Sequence, residues 1–158
     1  MSSDRSNYNE LMLSNLELGR ELSARTLMFH AAIAERVGLS ATEHKALDLL
    51  SRSGSLTAGQ LAEVTGLTTG AITGLIDRLE KVGFVRRERD SSDRRKVVIH
   101  PVIEKIEQEI VPLFVSMSQQ TEILLSRYSE QELAIIQDFI SRSIALLQAE
   151  TNKLRSNG

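Results

Sequence analysis

The sequence contains no cysteine and no tryptophan, and it has two prolines among 158 residues. Without cysteine the chain can form no disulfide, no thiolate zinc site and no thiol-based redox sensor. Its longest apolar runs span a few residues, whereas a helix that crosses a bilayer needs roughly 20. The polar N-terminal segment lacks the apolar core of a secretory signal. These absences predict a cytoplasmic protein with no membrane segment.

The common catalytic motifs are missing as well. The sequence has no P-loop, no Gly-x-Ser-x-Gly elbow and no His-Glu-x-x-His pair. The three histidines, His30, His44 and His100, are too scattered to show metal-ligand spacing. We therefore expect a protein that is not an enzyme and that holds no metal and no cofactor.

Three capping boxes mark helix starts, at Ser40 to Glu43, Thr57 to Gln60 and Ser129 to Glu132. In each, a hydroxyl can cap the first turn while a carboxyl or amide three residues later reaches back to the cap. Each box precedes apolar residues at helical spacing. They predict helices over 41–52, 58–65 and 130–154.

Long amphipathic helices flank the middle of the chain. Apolar residues recur at intervals of four and seven over about 7–36, and similar stripes run over about 102–126 and along the last helix. Pro112 lacks a backbone donor and predicts a kink in the second of these helices. Packing within the chain is the ordinary explanation of such stripes. Because the middle segment has a core of its own, we favour a homodimer in which the stripes of two copies meet.

The middle segment predicts a winged helix. The helix that begins after Thr57 is followed by a turn at Gly66 and a second helix over about 69–82, which is the order of a helix-turn-helix. Gly83 stands where a helix end favours a left-handed residue. Two runs of strand character follow, from Phe84 and over 96–99, with turn formers between them. The expected fold class is therefore mainly α, with a small β-hairpin wing.

Charge is concentrated on this wing although the net charge of the chain is −2. Residues 38–100 hold ten basic and eight acidic side chains, and six of the basic ones lie between Arg86 and Lys96. A solvated hairpin with surface ion pairs is the alternative explanation. A hairpin that follows a helix-turn-helix favours double-stranded DNA as the partner, because guanidinium groups bind the narrow minor groove. We expect Arg94 and Arg95 to enter that groove, and Asp93 to orient one of them. The phosphate contacts that we expect are Arg86, Arg87, Arg89 and Lys96.

The run from Leu56 to Ile99 resembles the multiple antibiotic resistance regulator (MarR) family of transcription factors. The matching segments are Gln60-Leu61-Ala62, Ile72-Thr73, Leu75 to Lys81, Gly83 to Arg87 and Asp93-Arg94-Arg95. The resemblance implies a homodimer on a pseudo-palindromic operator and a small anionic or aromatic effector. It also implies that Asp93 and Arg95 form the wing pair, with Arg95 in the minor groove. The implied division is 1–37 and 101–158 for dimerisation, around a DNA-binding lobe at 38–100.

The second helix of the motif is expected to enter the major groove. Its exposed face offers short side chains, and the position at which the family commonly has an arginine is Gly74. Close approach to DNA or tight packing against another helix would each explain two glycines four residues apart. The base-reading candidates are Thr68, Thr69, Gly70, Thr73, Gly74, Asp77 and Arg78.

An effector site and a different type of partner complete the expectations. Arg20, Arg25, His30 and His44 lie on helices that could line an effector pocket, although solvent-facing side chains are an equal alternative. We expect a repressor. The alternative function is a winged-helix module that binds protein and not DNA, since a fold does not fix a function.

Overall fold

The computed structural model describes residues 2–89 and 96–156, with side chains from residue 6 onward. Of these residues 79% are helical, with a small antiparallel sheet, which confirms the predicted fold class. Within these two ranges no helix is long and apolar enough to cross a membrane. The elements are α1 (Ser2–Arg36), α2 (Ala41–Ser53), β1 (Leu56–Thr57), α3 (Ala58–Thr65), α4 (Thr69–Lys81), β2 (Val85–Arg89), β3 (Val97–Pro101), α5 (Ile103–Glu109), α6 (Val111–Leu125) and α7 (Glu130–Ser156).

The three capping boxes form as the sequence predicts. Before α2 and α3 the cap hydroxyl accepts the N–H three residues later, and Glu43 or Gln60 accepts the N–H of the cap residue. Before α7, Ser129 and Glu132 make the same reciprocal pair. Satisfying these otherwise unpaired donors stabilises each helix start by about 1 kcal/mol. Local side chains therefore fix where these helices begin.

The sheet has three strands in the order β1-β3-β2, all antiparallel. The predicted hairpin is present, with Arg87 opposite Ile99 and Arg89 opposite Val97. The additional strand β1 pairs with the other edge of β3, placing Leu56 opposite Ile99. Since Thr57 ends β1 and caps α3, the wing is joined directly to the helix-turn-helix.

One core supports the middle of the chain. Helix α4 buries Ile72, Leu75, Ile76 and Leu79. These side chains share the core with Leu47 and Leu50 of α2, Leu61 of α3, and Phe84 and Ile99 of the sheet. Burying an aliphatic side chain of this size is worth about 1.5–3 kcal/mol. Because these side chains fix the orientation of α4, its opposite face is exposed to solvent.

The predicted helix over 102–126 is divided in two at Ile110. Helix α5 ends at Glu109, and α6 begins at Val111. Pro112 lies in the first turn of α6, where the missing N–H needs no intrahelical partner. Because proline is favoured at such a position, the chain starts a new helix there.

The chain divides into two compact units, 1–113 and 114–158. The first contains α1 to α5 and the whole sheet, and the second contains most of α6 and all of α7. The assignment of 1–37 and 101–158 to dimerisation concerns function and stays a prediction.

Candidate nucleic-acid interface

Helix α4 presents a face of small polar side chains away from the core. Its N-cap is Thr68, whose hydroxyl accepts the N–H of Ala71 at 3.4 Å. The hydroxyl of Thr73 donates to the backbone oxygen of Thr69 at 3.0 Å. The predicted base-reading residues on this face are exposed, apart from the partly exposed Gly74; the exposed ones are Thr68, Thr69, Gly70, Thr73, Asp77 and Arg78.

The two glycines of α4 have open space around them. A Cβ atom built on Gly70 would have no described atom within 4 Å. A Cβ atom on Gly74 would lie 3.7 Å from Nη1 of Arg78, an ordinary van der Waals distance. Within the described part of this chain, tight packing therefore requires neither glycine.

Arg78 is tied to the start of α2. Its Nε–H donates to the carboxylate of Glu43, 35 residues earlier in the chain. Glu43 is 5% exposed and also accepts the backbone N–H of Ser40 at 2.8 Å. Burial alone would raise the pKa of Glu43, but the hydrogen bonds from Arg78 and Ser40 outweigh it, so that pKa is lowered. The capping carboxylate thus links α2 to α4.

Arg87 is tied to α4 from the other side. Its Nη2 lies 2.5 Å from Oδ1 of Asp77, and its Nη1 donates to Glu80. The N–H of Arg87 also donates to Oε1 of Glu80 at 3.1 Å. The structure thus brings together two residues that the sequence assigns to DNA contact, Asp77 and Arg87.

A polar row crosses the opposite face of the sheet. Arg86 pairs with Glu88 on the same strand, and Nε2 of His100 lies 3.5 Å from Oε2 of Glu88. The hydroxyl of Ser55 lies 2.5 Å from Nδ1 of His100. The row follows from register, since Arg86 and His100 are cross-strand partners.

The remaining wing residues divide between described and undescribed positions. Arg89 and Lys96 are exposed at the ends of the two wing strands. Asp93, Arg94 and Arg95 lie outside the described residues. Their assignment to the minor groove stays a prediction from the sequence.

None of the four predicted effector residues lines the cavity that lies between α1, α2 and α3. Arg20 and Arg25 are exposed, and Arg25 pairs with Glu21 at 2.6 Å. His30 and His44 face each other between α1 and α2, with ring centroids 5.6 Å apart. That cavity has a volume of about 360 Å³ and is lined by Leu27, Ala41, Thr42, Lys45, Ala46, Leu49, Val64, Thr65 and Leu67.

His44 predicts a pH dependence of stability. It is 4% exposed, and burial, followed by the neighbouring His30, lowers the pKa of its imidazole below 6.5. The unfolded chain therefore binds a proton at this residue at a higher pH than the folded chain does. Stability is fully present above about pH 6.5 and falls as the pH decreases through that value.

We expect replacement of His44 by Gln to flatten this dependence. Urea unfolding midpoints of the wild type should fall between pH 7.5 and pH 5.5, and those of His44→Gln should fall less. If the midpoints of the two proteins fall equally between these pH values, His44 is not the group that causes the pH dependence.

Three contacts were beyond the reach of sequence reasoning. Glu43 was identified as a cap, but nothing local indicates that it also binds Arg78. Glu80 and Ser55 had no assigned role at all. The clustering of Asp77, Glu80 and Arg87 within eleven residues was the one available signal. Among the described residues no group of three or more histidines, aspartates or glutamates could hold a metal ion.

Comparison with known proteins decides the family. A sequence profile described as the MarR family matches residues 39–97. The chain is 40% identical over 153 residues to the HTH-type transcriptional regulator YcgE of Bacillus subtilis (strain 168), which covers 97% of this chain and 99% of that protein. The chain belongs to the MarR family. It is a helix-turn-helix transcriptional regulator, which confirms both the resemblance and the prediction that it is not an enzyme.

Two further similar proteins bear on function and fold. The HTH-type transcriptional repressor YetL of Bacillus subtilis (strain 168) is 30% identical over 128 residues, covering 78% of this chain and 72% of that protein. A MepR variant of S. aureus, solved bound to an oligodeoxyribonucleotide, superposes with a TM-score of 0.58. It is 21% identical and covers 84% of this chain and 97% of that one. This likeness shows that the winged-helix fold is shared.

Proposed function

We propose that this MarR-family chain is a homodimeric, cytoplasmic repressor that binds a pseudo-palindromic operator. Helix α4 of each copy enters the major groove, and the wing residues Arg94 and Arg95 enter the adjacent minor groove. Arg89 and Lys96 meet phosphates beside it. The observation that carries the proposal is the exposed threonine and glycine face of α4, held on a buried core and followed directly by the basic wing.

The composition of this face supports a particular mode of recognition. Threonine methyl groups suit the thymine methyl, and threonine hydroxyls suit bases or phosphates. The face has no asparagine or glutamine for bidentate contact with adenine. Arg78, its one long cation, is bound to Glu43. We infer that groove shape, read by the wing arginines, supplies much of the selectivity.

Exposed apolar residues on α1 and α7 support the homodimer. On α1, Leu11, Leu18 and Leu22 are each more than half exposed. On α7, Phe139, Ile144 and Leu147 are more than 60% exposed. Groups of exposed apolar residues mark interaction surfaces, and a second copy offers the same groups.

Selection of bound duplexes from a random DNA library at near-physiological salt tests the function. We expect recovery of a pseudo-palindrome whose half-sites lie about one helical turn apart, with A·T pairs enriched where the wings lie. Guanine preference in the major groove together with indifference to A·T content under the wings would contradict the recognition mode. A folded dimer that enriches no sequence would instead favour a module that binds protein.

Gly70 provides a separate test of close approach to DNA. Because a Cβ atom there meets no described atom, Gly70→Ala should raise the free energy of unfolding by up to about 1 kcal/mol. The added methyl should nevertheless lower operator affinity by about tenfold. Gly19→Ala in α1 is the matched control, since its Cβ atom also meets no described atom. It should stabilise the chain without changing affinity, and equal affinities for both variants would refute close approach at Gly70.

The effector part of the proposal concerns the cavity beside α2. Its lining is mostly apolar, with Lys45 and two threonines as polar groups. We propose that a small anion with an apolar body binds here. It alters operator affinity through Leu67, which precedes α4. Titration of the protein–operator complex with small aromatic carboxylates tests this, with Lys45→Ala as the comparison. If Lys45→Ala releases the operator at the same carboxylate concentration as the wild type, Lys45 does not bind the anion. The predicted residues Arg20, Arg25, His30 and His44 would then be the next to change.

A further inference from the structure

The guanidinium of Arg87 lies between two carboxylates of α4. One terminal nitrogen binds Asp77 at 2.5 Å, and the other binds Glu80. Glu80 also accepts the backbone N–H of Arg87, so side chain and main chain of this residue both connect β2 to α4. A forked guanidinium can hold two carboxylates at once, which the single ammonium of lysine cannot do in the same geometry.

Strand geometry explains why Arg87 and not its neighbours faces the helix. Side chains alternate along β2, so Arg87 lies on the same face as the buried Val85. Its side chain is 30% exposed, whereas that of Arg86, on the other face, is 58% exposed. Arg87 is therefore directed toward α4 by its position in the strand.

The carboxylates of Asp77 and Glu80 repel each other unless a cation lies between them. Asp77 and Glu80 are three residues apart on α4, where like charges repel each other. Asp77 follows Thr73 by one turn on the face proposed to meet DNA, and its side chain is 60% exposed. Without Arg87, two uncompensated negative charges would stand near the phosphates of the operator.

We propose that Arg87 is a positioning residue, which fixes the wing relative to the recognition helix and neutralises its carboxylates, and not a phosphate contact. The inference rests on the proposed DNA binding. Arg87 sets the separation of β2 from α4, so the wing and α4 reach their two grooves together. Arg89, two residues further along the strand, is left as the phosphate contact.

Operator affinity measured across a range of salt concentrations distinguishes the two roles. A residue that neutralises one phosphate contributes about 0.9 to the slope of log affinity against log salt. Arg87→Gln should lower affinity by about tenfold, with a slope that falls by clearly less than 0.9 per subunit. Arg87→Lys should recover little of this loss. Arg89→Gln is the matched control on the same strand, and its slope should fall by about 0.9 per subunit.

A mutant cycle supplies the second measurement. In a chain carrying Asp77→Asn and Glu80→Gln, the carboxylates that Arg87 holds are gone, so adding Arg87→Gln should cost much less than tenfold. If Arg87→Gln alone fails to fold, the test stays informative. The effect of Arg87→Gln can then be measured in the double variant and compared with that of Arg87→Lys.

Two results would overturn the proposal. One is a slope that falls with Arg87→Gln as it does with Arg89→Gln, together with the same loss in both backgrounds. The other is a folded Arg87→Gln chain that binds the operator as tightly as the wild type. A wild-type chain that binds no duplex would contradict the proposed function itself, which is a different outcome from either.

Discussion

Reversing both wing arginines, as Arg94→Glu with Arg95→Glu, is expected to lower operator affinity by at least about 100-fold. Each lobe loses two cations from the most negative region of the DNA and gains two anions there. A 100-fold loss corresponds to about 2.7 kcal/mol, a modest figure for four changed charges per lobe. The salt dependence of binding should weaken as well, since fewer phosphates are neutralised. Fluorescence anisotropy with the selected operator at several salt concentrations measures both effects.

The control must change net charge by the same amount elsewhere. Arg142→Glu with Lys153→Glu does so at two exposed positions of α7, on the side of the helix opposite Ile144. If the loss arises from wing contacts, this control should bind within a few-fold of the wild type. Equal losses in the two variants would mean that the overall field of the protein, and not the wing, attracts the DNA.

Helix starts were predictable because their signals are local. The capping boxes place the first residues of α2, α3 and α7 at Ala41, Ala58 and Glu130, where the structure has them. Strand β1 carries no comparable signal, since two residues cannot show a period. Its pairing depends on β3, more than 40 residues later in the chain. The break at Ile110 was predicted as a kink at Pro112, because the sequence marks the proline but not whether a helix continues past it.

The site was predictable in outline, and its internal contacts were not. The spacing of apolar residues in α4 indicates which of its faces is buried and which is exposed, and the structure agrees. Which arginines are engaged within the chain depends on how α2, α4 and β2 pack. Arg78 meets Glu43 across 35 residues, and Arg87 meets Asp77 and Glu80 across a helix–strand contact. From the sequence alone, one role, contact with phosphates, had been assigned to Arg86, Arg87, Arg89 and Lys96 alike.

Charges introduced on the apolar stripe of α7 should separate the proposed dimer. The variant is Ile144→Glu with Leu147→Glu, at side chains that are 62% and 69% exposed. Within one chain, surface changes of this kind usually alter stability by less than about 0.5 kcal/mol. In a symmetric dimer they remove four apolar side chains from the interface, each worth about 1.5–3 kcal/mol. They also place four carboxylates there. The dimer dissociation constant should therefore rise by at least about 1,000-fold.

Sedimentation at micromolar concentration measures the result directly, against the 17.6 kDa of a single chain. The molar mass of the wild type should be twice that value, and that of the variant should equal it. The variant should keep the helical circular dichroism of the wild type. Gln131→Glu, at an exposed polar position on the other side of the same helix, should remain a dimer. Operator affinity should also fall when dimerisation is lost, because a monomer engages one half-site and loses the linked second contact. A variant that stays dimeric would place the interface on another face, with the exposed leucines of α1 as the next surface to change.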